Sequence, residues 1–332
     1  MRKYLLPEKG QFYKANLHCH STVSDGAWTV EEIKERYLEY GYSIVAFTDH
    51  DLFITHNELK DENFLPLNGY ELGFNGDKVC HICAIALDPS INVQKIFYKT
   101  VFEGKNNGKL RFDSERDYID RRHNVELING IIKQLREYGF FVTYNHPVWS
   151  FETKDEYCNY HGMHAMEIVN YGCVVEGYDD HNGNIYDQML RNHEKIYCVA
   201  TDDNHNLHSV DSPKCDSFGG FTMIKADKLE YGAISRALLN GDFYSSEGPR
   251  IDELYYENGR IYIKTSEAAR IVMTTELRHY RCATAKLKDD TISEADFAII
   301  PDKTGAYVRF TVTDTKGKEA NTNAIFLSDF LS

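Results

Sequence analysis

A chain of 332 residues with 42% hydrophobic and 27% charged side chains has the composition of an ordinary globular protein, long enough for one large core and a smaller appended one. Its formal charge of −14 argues against a partner gripped by clustered Lys and Arg, so no nucleic-acid polymer is expected; no run approaches the ~20 apolar residues of a membrane span, so neither is a membrane partner. Eight cysteines spread through a chain of this size read as reduced thiols, and the opening MRKYLLPEKGQF lacks the apolar segment of a signal peptide, so the expected location is cytoplasmic.

The first informative stretch is KANLHCHSTVSDG, 14–26. A strand sends alternate side chains to one face, so His18 and His20 should point together and Cys19 away, with Asp25 five residues further on. In TVEEIKERYLEYGY, Thr29 and Glu32 form a capping box and Val30, Ile33 and Tyr37 recur at helical spacing, which predicts a helix ending near Gly41. SIVAFTDHD reads as a strand buried on both faces of a parallel sheet, stopping abruptly at Asp49 and His50. The alternation continues through FLPLNGYELGF with Glu71, KVCHICAIAL with His81, GFFVTYNHPVW with His146, HAMEIVN with Glu167, and IYCVATDDNHN with Asp202, Asp203 and His205. Helices are predicted over 124–139 and near 184–195. Cys80 and Cys83 lie three apart in a strand and should face opposite sides, so a CxxC metal or redox site is not expected.

Strand, polar tip and helix in repetition is the pattern of a β/α barrel, whose active sites sit at the C-terminal strand ends. The histidines and carboxylates fall at those tips, which makes them candidates for one multinuclear metal site. Residues 88–123 interrupt the rhythm and read as an inserted loop or helix. Its Arg116, Arg121, Arg122 and His123 could face a phosphate, since a guanidinium fork matches phosphate oxygens, or simply form a solvated face. One more strand, a helix and a short strand would complete the barrel domain at residue 248. Over 249–332, short alternating runs such as RIYIKTSE and AYVRFTVTD predict a small all-β, sandwich-like domain. Ser245, Ser246 and Arg250 in YSSEGPR could line the entrance, although a turn explains such a cluster equally well.

Taken as a set, HCHSTVSDG, FTDHD, GYELG, CHICAIAL, NHP and DDNH resemble the successive motifs of the PHP family, the polymerase and histidinol phosphatase superfamily of metal-dependent phosphoesterases, over roughly residues 12–250. The resemblance implies an α/β fold, an irregular (β/α)7-type barrel, with two or three divalent ions of Zn, Mn or Fe. Carried over by motif, His18, His20, Glu71 and Asp203 would hold one ion, and Glu71 would bridge to a second held by His81 and His146. Asp25, His50 and His205 would hold a third; some relatives have histidine where this chain has Asp25, so the third site here would bind more weakly or prefer a harder metal. Asp49 and Asp202, each beside a ligand, are expected to orient a ligand histidine. Glu167 is expected either to do the same or to meet substrate together with Arg121 and Arg122. The implied activity is hydrolysis of a small phosphomonoester or phosphodiester by a metal-bound hydroxide, with Glu71 at the catalytic centre. The same cage could instead cleave a carboxylic ester, carbamate or amide, and a non-catalytic scaffold that binds a sugar or a partner is a third alternative. The proofreading role of such domains fused to polymerases is disfavoured by the acidic charge and the lack of a polymerase region. His56, His161, His164, His181, His193, His208 and His279 end no motif and are expected to be structural or exposed.

Overall fold

The computed structural model describes residues 2–98, 110–288 and 290–331, with the backbone alone at 98 and 112–119. The first helix, Val30–Glu39, carries the predicted capping box: Glu32 N–H donates to Thr29 Oγ1 (3.2 Å) and Thr29 N–H to Glu32 Oε2 (2.8 Å). Val30, Ile33 and Tyr37 are its buried stripe. The helix predicted over 124–139 runs Val125–Glu137 behind an Asn124 N-cap, and the one near 184–195 runs Gly183–Arg191.

The predicted barrel strands lie side by side in one long sheet. From one edge its order is Tyr197–Thr201, Ala165–Asn170, Phe140–Asn145, Val79–Ala86, Leu65–Asn75, Ile44–Phe47, Gln11–Asn16, Phe221–Ala226 and Phe243–Ser246. Two features depart from the expected barrel. Leu65–Asn75 runs past Glu71 and pairs antiparallel with Val79–Ala86 as a hairpin with no helix between them, and Val79–Ala86 in turn pairs antiparallel with Phe140–Asn145, so Glu71 stands mid-strand rather than at a tip. The sheet is also an open path. Tyr197–Thr201 meets Phe221–Ala226 through Thr222 Oγ1, which bonds Ala200 O (3.0 Å) and Ala200 N (3.3 Å), instead of through a ladder.

The path continues from Phe243–Ser246 into Glu319–Thr322, Tyr307–Thr313, Arg270–Thr275 and Arg281–Thr284. A second, four-stranded sheet of Lys3–Tyr4, Ile251–Glu257, Arg260–Ala268 and Ile292–Ala298 accompanies it. Between them Tyr244, Ile251, Ile263, Ile271, Phe297, Phe310 and Val312 form a continuous apolar core. The β-rich region therefore takes in the chain's start, since Lys3–Tyr4 pairs with Tyr255–Tyr256 and Leu6 joins this core, which a division into 1–248 and 249–332 does not anticipate. Arg309 ties the region to the helix Gly183–Arg191, where its guanidinium meets Asp187 (Nε–Oδ1 2.7 Å, Nη2–Oδ2 3.0 Å) out of solvent.

Among the described residues between 88 and 123 the backbone forms a parallel pair, Gln94–Tyr98 with Phe112–Ile119, where a loop or helix is expected. Arg116 lies outside the described side chains. No helix among the described residues is long and apolar enough to cross a membrane.

Candidate metal centre

Parallel strands deliver the first ligand candidates to one end of the sheet. Just past Gln11–Asn16, His18 and His20 turn the same way, their Nε2 atoms 3.1 Å apart, while Cys19 bridges to Asn204 and enters the apolar cluster beneath. His50 follows the fully buried Ile44–Phe47 and is held against Glu71 by an isolated bridge. His146 and Asp203 follow their strands with φ of +26° and +50°. Non-glycine residues held there carry backbone strain, which concentrates at functional sites. Gly73 faces His81 across the hairpin, and a Cβ there would lie 2.8 Å from His81 Nε2, so only glycine leaves room for that ring.

These elements converge on Glu71. Its Oε1 lies 3.2 Å from His18 Nε2, 3.1 Å from His81 Nδ1 and 3.3 Å from His146 Nε2; its Oε2 lies 3.0 Å from His50 Nδ1 and 3.4 Å from His20 Nε2. Asp203 Oδ1 sits 3.1 Å from His18 Nε2 and 3.0 Å from His20 Nε2. At the outer side Asp25 lies 3.7 Å from His20 and from His50 and 3.5 Å from His205. All nine expected ligands are therefore drawn into one cluster. His18, His20 and Glu71 are almost wholly buried, whereas the Asp25 side chain is 53% exposed.

Donor atoms within 4.8 Å of one another form four sets: His18 with His20 and Asp203; His50 with Glu71 and His81; His20 with Asp25, His50 and His205; and His18 with Glu71 and Cys83. The sets differ from the expected partition, because His20 also belongs with the outer group and His50 also with Glu71. The neighbouring soft atom is Cys83, paired across the hairpin with Glu71, and not Cys19. Asn145 Nδ2 holds both, donating to Glu71 Oε1 (2.9 Å) and to Cys83 Sγ (3.1 Å). Burial pushes the Cys83 thiol up to about 11.

Burial alone would raise the Glu71 carboxyl, but His81, His18 and His50 hold it well below the usual carboxylate range. His20 is pushed down to about 4 by burial and by His50, which leaves its ring neutral and able to donate a lone pair. The fit to a divalent ion can be tested on the protein itself. Glu71 Oε2 and Asp203 Oδ1 are buried yet accept no hydrogen bond among the described residues. Buried carboxylate oxygens that make no well-formed hydrogen bond are costly unless a cation meets them, and nitrogen and oxygen ligands of this kind suit Zn, Mn or Fe. The residues fit the ions.

Several expected roles change on sight of the contacts. Asp49 bonds no histidine directly; its carboxylate accepts from the N–H and hydroxyl groups of Ser21 and Ser24 and so pins the turn that follows His20, with Ser24 Oγ in turn 3.5 Å from His20 Nδ1. Asp202 faces away, accepting from the N–H groups of Phe218, Gly219 and Gly220 and from the Tyr37 hydroxyl. Glu167 is fully buried and cannot meet substrate. Its Oε1 binds His18 Nδ1 (2.7 Å) and Thr201 Oγ1 (2.6 Å), and its Oε2 accepts from His146 N–H (2.9 Å) and Asn170 Nδ2 (2.8 Å). Arg121 is committed to Asp51 (2.7 Å) and Arg122 to Asp120 (2.5 Å), and neither lines the cavity. His123 instead bonds Glu152 (2.8 Å). Ser245, Ser246 and Arg250 bond Asn321 O, Pro249 O and Asp252 respectively, away from the mouth.

The cluster floors a cavity of about 650 Å3. Its walls include Trp149, Val175, Tyr178, Leu207, His208 and Lys214, residues that motif reasoning passed over. His208, expected to be structural or exposed, is exposed and is one of them. Trp149 alone carried a signal, standing three residues after His146 on the same turn.

Residues 16–271 match the PHP domain, so the chain belongs to the PHP domain family. The DNA polymerase/3'-5' exonuclease PolX of Bacillus subtilis (strain 168) is 45% identical over 85 residues, 20% of this chain and 15% of that protein, so the chain spans only a small part of that relative. A two-domain protein from Bacteroides vulgatus ATCC 8482 containing a predicted PHP-like metal-dependent phosphoesterase aligns over 97% of this chain and 98% of its own (TM-score 0.44, 15% identity). An amidohydrolase from Chromobacterium violaceum, solved with bound sulfate, aligns over 57% and 87% (TM-score 0.38, 16% identity).

Proposed function

We propose that this protein is a metal-dependent hydrolase of a small phosphate ester. The supporting observation is one cluster of nine nitrogen- and oxygen-bearing side chains, Glu71 and Asp203 among them, with two buried carboxylate oxygens that face imidazole nitrogens at 3.0–3.4 Å without a well-formed hydrogen bond. Two or three ions of the zinc, manganese or iron kind would sit among them: one on His18, His20 and Asp203, a second shared through Glu71 with His81 and His146, a third on Asp25, His50 and His205. Such ions neutralise phosphate oxygens and lower the pKa of water. The chain's own groups do the rest. Glu167 fixes the His18 ring, Ser150 Oγ (3.2 Å) and the Asp203 carbonyl (3.1 Å) orient His146 and His205 through Nδ1, and Lys214 offers a cation to phosphate oxygens from the cavity wall. A net charge of −14 supports a small substrate over a nucleic-acid polymer. The division near 248 and 249 into a metal-holding part and a β module belongs to the same proposal.

The apolar wall of Trp149, Val175, Tyr178 and Leu207 favours a second reading, a carboxylic ester or amide hydrolase, because an acyl group carries no charge to be matched. One panel separates the two: phosphomonoesters, phosphodiesters and carboxylic esters, assayed with Mn, Zn or Fe beside a His18→Ala/His20→Ala variant. Turnover of phosphate esters that the double variant abolishes supports the first reading; turnover of carboxylic esters alone supports the second; equal activity in both proteins rejects the metal cluster as the catalyst.

A further inference from the structure

Trp149 is placed where it can sort substrates. Its ring packs edge-on against His146 (centroids 4.9 Å, 76°) and lies 5.5 Å from His81, so one end covers two ligand histidines while the rest faces the cavity. The turn beneath it is fixed by three bonds: Trp149 N–H to Asp180 Oδ2 (2.9 Å), Ser150 N–H to His146 O (3.1 Å) and Val79 N–H to Ser150 O (3.1 Å). Asp180 is wholly buried, so this anchor is not shared with solvent. Tyr178 lines the same cavity and meets Phe151, 68% exposed, edge to face (centroids 6.4 Å, 79°). Leu207, 69% exposed, lines the same cavity. Large apolar side chains left in water beside a polar floor mark a binding surface.

Resting on the phosphate-ester reading, we infer that Trp149 and Tyr178 form a subsite for a flat, aromatic alcohol portion of the substrate, held beside the ligand cluster while Lys214 meets the charged end. Aromatic faces gain from stacking beyond the area they bury.

The test compares two esters with primary alcohol leaving groups, 2-naphthylmethyl phosphate and 2-methoxyethyl phosphate, on Mn-reconstituted protein. The subsite predicts a kcat/KM ratio of about 30 or more in favour of the naphthyl ester, falling about tenfold in Trp149→Ala and in Tyr178→Ala and unchanged in Trp28→Phe. A binding readout stands apart from turnover. The chain has two tryptophans, so fluorescence of the Trp28→Phe protein reports Trp149 alone, and 2-naphthylmethyl phosphonate should quench it at about tenfold lower concentration than methyl phosphonate. A ratio near one, or one that both alanine variants preserve, overturns the subsite. If neither phosphate ester is turned over but the phosphonate preference persists, the subsite stands and the phosphate-ester reading falls. If the phosphonates quench equally, the subsite falls whatever the reaction.

Discussion

His18 Nδ1 lies 2.7 Å from Glu167 Oε1, with both side chains out of solvent. This pair fixes which His18 nitrogen is free. With Nδ1 engaged by the carboxylate, Nε2 turns toward Glu71, Asp203 and His20. Glu167 also accepts from His146 N–H and from Thr201, so one buried carboxylate sets the position of two ligands delivered by different strands.

Glu167→Gln should therefore weaken metal binding without removing a ligand. Orienting partners of this kind are worth about 10–100-fold in affinity, and calorimetric titration with Zn or Mn should show a loss in that range with the number of ions unchanged. An affinity within twofold of the parent would show that His18 is oriented by its neighbours alone.

Asp49→Ala should cost stability first and metal second. Four donors from Ser21 and Ser24 lose their acceptor, and the cost expected in urea unfolding of the metal-free protein is about 2–4 kcal/mol, with Asp49→Asn between that variant and the parent. Since Ser24 Oγ reaches His20 Nδ1 at 3.5 Å, release of this turn should also loosen the His20 ligand.

Arg309→Met should destabilise by about 3–5 kcal/mol, because Asp187 is left charged and buried between the β-rich region and the helix Gly183–Arg191. The pair Arg309→Met/Asp187→Leu should recover most of that loss. Equal destabilisation by the single and double variants would mean that packing, not the uncompensated charge, dominates.

The acid limb of stability should depend on His164. Its Nδ1 accepts from Val142 N–H (3.0 Å), the ring stacks on Phe141 (4.8 Å), and burial, aided by Arg136, lowers it from 6.5 to about 4. A depressed folded-state value means that the unfolded chain takes up the proton first. This contribution is complete above about pH 6.5 and is lost as the pH falls toward 4. His164→Gln should flatten unfolding free energy over that window by about 1–3 kcal/mol relative to the parent. A parallel decline in both proteins would assign the acid sensitivity elsewhere.

The membership of the cluster was legible in the sequence because most of its residues end or interrupt an apolar run whose periodicity can be read locally, as His50 does after SIVAF and His146 after FFVTYN. The Thr29 and Glu32 cap was legible for the same reason. What could not be read was anything set by register between strands. The antiparallel hairpin of Leu65–Asn75 with Val79–Ala86 places Cys83 opposite Glu71 and Gly73 opposite His81, and no local pattern encodes that pairing. Arg121 and Arg122 looked like phosphate ligands because charge is visible in a sequence while its partner is not; Asp51 and Asp120 claim them. Glu167 looked like any strand-end acid until Thr201, Asn170, His18 and the His146 backbone closed around it.

The most direct test is an anomalous-difference map from crystals grown with Mn or Zn, phased on the protein alone. Peaks about 2.0–2.3 Å from Glu71 Oε2 and from Asp203 Oδ1, each also within that reach of His18, His20, His50 or His81, are the predicted result. Full-occupancy metal bound only elsewhere on the chain, with Glu71 and Asp203 touching none of it, would contradict it.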